Sequence, residues 1–189
     1  SKLGITKRKR FHFWFGHTWN DPSKGDIQLK SIINTPSIPL SVAVGRGTNT
    51  IAYSYDGINW TGRSSSATAV LSLAYSPTLS RWVAGGASNT IGFSDNNAVT
   101  WSFSTNTQLP TNITGLIWNG TYFVATGTGN IVLATSADGI TWRNSVPVSN
   151  AVNNYNCIAY KPPVMVATGS GTNTICISRD NGITWTQSP

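Results

Sequence analysis

The sequence predicts an all-β fold, a propeller of about four four-stranded blades, and three observations carry that prediction. A turn that closes on tryptophan occurs four times, at Trp60, Trp101, Trp142 and Trp185, with spacings of 41, 41 and 43 residues. Short runs rich in Val, Ile, Ala and Ser precede each turn, and a glycine-rich turn divides them. A repeat of ~40 residues holding several short strands is the mark of a propeller or a related β array.

The third unit serves as the template. Residues 113–118 form its first strand, and Asn119-Gly120 makes a two-residue hairpin turn, because both types tolerate positive φ. Residues 122–126 form the second strand and Gly127-Thr128-Gly129 the next turn. Residues 131–136 form the third strand; Asp138-Gly139 turns it, and 141–144 begins a short fourth. The other first strands fall at 27–33, 71–76 and 155–160. The second strands fall at 41–44, 82–84 and 164–168, and the third at 50–54, 90–94 and 174–178. The chain thus divides into an arm, 1–26, and a repeat body, 27–189, with units near 27–63, 64–104, 105–145 and 146–189. Few residues follow Trp185, so the last outer strand is short. Either the aromatic run 11–15 completes that blade, or the ring is open and another chain finishes it. Cys157 and Cys176 fall on the first and third strands of the last unit. Two strand spacings of ~4.8 Å lie between such positions, beyond disulfide reach. Two free, buried thiols are expected.

Charge separates the arm from the body. The chain carries 13 Lys and Arg against six Asp, has no Glu, and nets +7. Residues 1–30 hold seven bases and two Asp, or +5; the rest hold six bases and four Asp, or +2. Lys7, Arg8, Lys9 and Arg10 run directly into Phe11-His12-Phe13-Trp14-Phe15. This pattern fits docking on an acidic protein surface, with Phe13, Trp14 and Phe15 as buried anchors. Phosphate contacts and base stacking would make it a nucleic-acid arm, the less favoured reading. A plain solvated tail or a closing strand is the bland one. No run approaches the ~18 apolar residues of a membrane span, and no signal-peptide core is visible.

The four turns read Ser54-Tyr55-Asp56-Gly57-Ile58-Asn59-Trp60, Ser94-Asp95-Asn96-Asn97-Ala98-Val99-Thr100-Trp101, Ser136-Ala137-Asp138-Gly139-Ile140-Thr141-Trp142 and Ser178-Arg179-Asp180-Asn181-Gly182-Ile183-Thr184-Trp185. The pattern Ser-x-Asp-x-Gly-x-Thr-Trp resembles the Asp-box (BNR) repeat over residues 27–189. It is complete in the fourth turn, one residue short in the first and third, and degenerate in the second. That family includes sialidases, sortilin-type receptors and photosystem assembly factors. The resemblance implies a propeller whose boxes lie opposite its ligand face. The wording of 45–60 is also similar to repeat proteins of large DNA viruses. Physically the box is scaffold. A short Asp accepts hydrogen bonds from turn amides, Gly supplies the unusual φ, and Trp lays an apolar face beside the next blade.

Candidate chemistry is sparse. A sialidase of this fold needs paired carboxylates and clustered arginines. The resemblance implies a tyrosine nucleophile assisted by Glu, yet Glu is absent, and Ser37-Ile38-Pro39 lacks the family's arginine. Gly45-Arg46-Gly47 and Gly169-Ser170-Gly171 precede no helix and no Lys-Ser/Thr pair, so they are repeat turns rather than phosphate cradles. His12 and His17, near Asp21 and Asp26, lack the ligand count of a metal site. No catalytic residue, metal or cofactor is expected. One repeated surface remains, because the turns between second and third strands carry Asn49, Asn89, Asn130 and Asn173. A ring of amides there would bind sugar or peptide; Asn also simply tolerates such turns. The expectation is a non-enzymatic structural or interaction protein, a minor component of a virus particle or similar assembly, held by its arm. The alternative is a glycan-binding module using the Asn face.

Overall fold

The computed structural model describes residues 27–35, 39–63, 65–145, 152–171 and 174–188. The arm residues Lys7, Arg8, Lys9, Arg10, Phe13, Trp14 and Phe15, together with His12, His17 and Asn173, lie outside the described residues. Within them the chain is all β, with no helix. Four antiparallel blades follow one another. Blade 1 holds β1 (Ile27–Asn34), β2 (Ser41–Gly47), β3 (Ile51–Ser54) and β4 (Thr61–Arg63). Blade 2 holds β5 (Val70–Ser76), β6 (Arg81–Gly86), β7 (Thr90–Ser94) and β8 (Ser102–Thr105). Blade 3 holds β9 (Asn112–Trp118), β10 (Phe123–Thr128), β11 (Leu133–Ser136) and β12 (Arg143–Asn144). Blade 4 holds β13 (Val152–Lys161), β14 (Val164–Gly171), β15 (Ile175–Ser178) and β16 (Thr186–Gln187). Blade 4 therefore has an outer strand of its own, two residues long.

The inner strands β1, β5, β9 and β13 stand side by side around the axis. Single bridges stitch neighbouring blades: Arg46 with Ala69, and Thr128 with Asn154. Two hydroxyls reinforce them. Ser72 Oγ donates to Ile113 O at 2.8 Å, and Thr114 Oγ1 to Tyr155 O at 2.5 Å.

Three apolar seams make the core, one between each pair of successive blades. Val42, Val44 and Ile51 of blade 1 meet Val70, Leu73 and Trp82 of blade 2. Val83 and Ile91 meet Ile113, Leu116, Phe123 and Trp142. Val124 and Leu133 meet Tyr155, Met165, Cys176 and Trp185. A second strand such as β10 is covered on both faces by the flanking blades. It therefore reads as a continuous small-apolar run rather than an alternating one.

Each inner strand also contains a one-residue bulge, at Lys30, Leu71, Thr114 and Asn156. The bulge resets the alternation of the strand, which corrects one expectation. Cys176 is buried, but Cys157, just past the Asn156 bulge, is exposed. Both thiols are free, and they sit on the first and third strands of one blade.

Candidate functional site

The repeated turns stand at the end of the third strand of each blade, beside the start of the second, as the pairing of Ser41 with Ser54 and of Phe123 with Ser136 shows. In the third turn Ser136 Oγ donates to Asp138 Oδ1 at 2.9 Å and accepts from Gly139 N at 2.8 Å. The same Oδ1 accepts the amides of Ile140 and Thr141 at 2.8 and 2.7 Å. Ser54 and Asp56 repeat this set with Gly57, Ile58 and Asn59. Ser178 and Asp180 repeat it with Gly182 and Thr184. In the worn second turn Asn96 takes the aspartate's place, accepting from Ser94 Oγ at 3.0 Å and Thr100 N at 2.9 Å. Asp95, one residue earlier, instead holds Arg81 through two bonds of 2.6 and 2.7 Å. Arg81 Nη1 then reaches the backbone oxygen of Asp138, tying blade 2 to the third turn.

Trp142 and Trp185 close their turns, each donating its indole N–H to a turn carbonyl, Gly139 O at 3.2 Å and Gly182 O at 3.0 Å. Their rings pack on the preceding blade, not the next one as the sequence suggested. Trp142 shares a seam with Val83 of blade 2, and Trp185 with Val124 of blade 3. Trp101 looks back at blade 1 and is half-buried, as is Trp60.

These bonds hold the turn carboxylates ionised. The amides of Asn59 and then Ile58 pull Asp56 far below its ordinary value. Burial opposes ionisation of Asp138, but the Ile140 and Thr141 amides and the Ser136 hydroxyl outweigh it. Burial likewise opposes Asp180, and Thr184 and Ser178 outweigh it. The Arg81 guanidinium lowers Asp95. A carboxyl whose folded pKa is depressed contributes stability above its unfolded value, here 3.8, and loses it as pH falls below that value. Melting temperature should therefore be flat on the acid side down to about pH 4 and fall below it. In Asp138→Asn with Asp180→Asn the fall should be shallower, since Asn96 already fills this role in the second turn. An unchanged acid slope in that variant would refute the assignment.

The opposite mouth carries the turns between second and third strands, where Asn49, Asn89 and Asn130 come to one face. They are not equivalent donors. Asn89, at φ 56°, donates its amide to Leu109 O at 2.7 Å and its backbone N–H to Thr111 O at 2.8 Å, so it is committed to the loop that enters blade 3. Asn130 is exposed and Asn49 half-exposed. On the axis, inside the ring of bulges, lies a cavity of about 130 Å³ lined by all four inner strands, among them Lys30, Ser72, Thr114 and Cys157. Ser72 and Thr114 already donate to backbone carbonyls. None of its described lining residues is a carboxylate. Among the described residues no group of three or more His, Cys, Asp and Glu could hold a metal ion.

One feature of the turn face was not read from the sequence. Ile58, Ile140 and Ile183 are exposed, each just after the turn glycine. The recurring Gly-Ile before Trp was the available signal.

No protein-family model and no curated protein matches the chain. Solved structures do match. A chain of a nidogen/laminin complex overlays with a TM-score of 0.68 at 13% identity, covering 81% of this chain and 61% of that one. The GH74 enzyme of Niastella koreensis gives 0.63 at 14%, covering 87% and 24%. The WD40 repeats of RRP9 give 0.64 at 11%, covering 85% and 51%. The chain is a β-propeller in fold. It spans less than two thirds of the length of each of these structures.

Proposed function

We propose that the chain is a non-enzymatic interaction protein, a propeller of Asp-box type that serves in a larger assembly. The observation that carries this reading is the fate of the carboxylates. Glu is absent from the sequence, and the four described Asp residues are all engaged in turns on the face opposite the axial mouth. What remains exposed is a nearly neutral β arc that carries Ile58, Ile140 and Ile183 on its turn face. A propeller neighbour in a nidogen/laminin complex lends support to a protein-binding role.

In this proposal the arm is the tether. Lys7, Arg8, Lys9 and Arg10 meet an acidic protein surface, and Phe13, Trp14 and Phe15 bury apolar area against it. The particle is proposed to be a virion or similar assembly, a choice that rests on the wording of residues 45–60. The test replaces Lys7, Arg8, Lys9 and Arg10 with Gln and measures partner capture from the native source. Capture by the unaltered chain should weaken as salt rises, because exposed charges are screened, and the variant should lose most of it. Equal capture by both chains, at low and high salt alike, would sink the tether. The non-enzymatic part is checked with sialosides: no turnover is expected, and turnover abolished by replacing a single Asp would overturn it.

A further inference from the structure

The two end blades present complementary halves of a seam that the molecule forms three times internally. Register fixes the equivalences. Leu29, Val70, Ile113 and Tyr155 pair across their blades with Gly45, Gly86, Gly127 and Gly169. Ile32, Leu73, Leu116 and Ile158 pair with Ala43, Ala84, Ala125 and Ala167. Ile51, Ile91, Leu133 and Ile175 pair with Val44, Gly85, Thr126 and Thr168. The first two sets look back at the preceding blade, and the third looks forward.

Where a neighbouring blade is present, every member of these sets is 8% exposed or less. At the ends the burial fails. Leu29 and Ile32 on blade 1 are 40% and 37% exposed, and Ile175 on blade 4 is 43% exposed. Large apolar residues at repeat positions built for burial mark an interface. Among the described residues no strand pairing joins β1 to β13, and nothing covers either face.

We propose that the occupant of these faces is a second copy of this chain, joined head to tail: the forward face of blade 4 in one copy seats on the backward face of blade 1 in the other. Three seams inside the chain already show these two faces fitting together. Size agrees as well. One copy covers 51% of the WD40 chain and 61% of the nidogen/laminin chain, so it leaves an arc of each to be filled. A head-to-tail interface closes into a ring when its rotation permits and otherwise grows without limit. Here two copies carry two identical seams and leave no free face. The inference goes beyond the tether and does not depend on what the arm binds.

The full-length chain is tested by sedimentation from micromolar to millimolar concentration. A species of twice the 20.2 kDa chain mass is expected, dissociating on dilution. Ile175→Asp removes one half-seam, and Leu29→Asp with Ile32→Asp removes the other. Both change residues already exposed, so a monomer with an unaltered circular-dichroism spectrum is expected from each. An equimolar mixture should regain the doubled mass, because one intact pair of faces remains. A wild-type chain of single mass at every concentration would overturn the proposal, as would its arm covering the faces within one copy. Doubled mass that survives both variants, failure of the mixture to associate, or growth beyond two copies would also overturn it. Should an aspartate variant not fold, Ile175→Ser and Leu29→Ser give the same reading more gently.

Discussion

Replacing Trp142 with alanine is expected to lower stability by about 3–5 kcal/mol, the range for truncating a buried aromatic. The ring is 4% exposed, sits in the seam between blades 2 and 3, and donates its indole N–H to Gly139 O. Its removal opens a cavity that neither blade can fill, because β6 and β10 are fixed on their other faces by further seams. For a chain of this length the loss corresponds to roughly 6–20 °C in melting temperature. Trp185→Ala should cost as much. Trp60→Ala should cost clearly less, since Trp60 looks back from blade 1 toward no described neighbour and is only half-buried. Thermal unfolding of the three variants reads this order. Equal losses at Trp60 and Trp142 would show that the seam, as drawn, does not set the energy.

The sequence made this scaffold legible because its strongest signals are local. Ser136, Asp138, Gly139 and Trp142 are all consumed within one turn, and the same four types recur at one period, so turn and fold class follow together. What was not legible depends on neighbours. The bulges at Lys30, Leu71, Thr114 and Asn156 share no residue type, because a bulge is defined by backbone pairing and not by its side chain. Cys157 was expected to be buried from its place on an inner strand, yet it follows the Asn156 bulge and is exposed. The backward set of Trp142 depends on which neighbouring blade lies against its turn, and no residue in the turn records that. Asn89 resembled its three counterparts in sequence, yet its amide bonds Leu109 O, a contact twenty residues away.

Gly127→Ala should be among the most damaging small substitutions in the chain, at about 3 kcal/mol or more, the upper end for overpacking. Glycine stands at this place in every unit, at Gly45, Gly86, Gly127 and Gly169. The structure gives the reason. Gly127 pairs with Ile113 across the Thr114 bulge, where the partner backbone swings in, and a Cβ on Gly127 would run into the carbonyl of Asn112 and the ring of Pro110. Gly86 meets the carbonyl of Ala69 in the same way. A backbone carbonyl cannot rotate aside as a side chain can, so the bulge itself must shift, and the bridge from Thr128 to Asn154 shifts with it. Gly120→Ala is the control. Gly120 has φ of 98° with no atom near its absent Cβ, so alanine there costs only backbone strain, about 1–2 kcal/mol. Denaturant unfolding of both variants separates close approach from φ preference. If the two glycines lose the same stability, the bulge is not what keeps Gly127 bare.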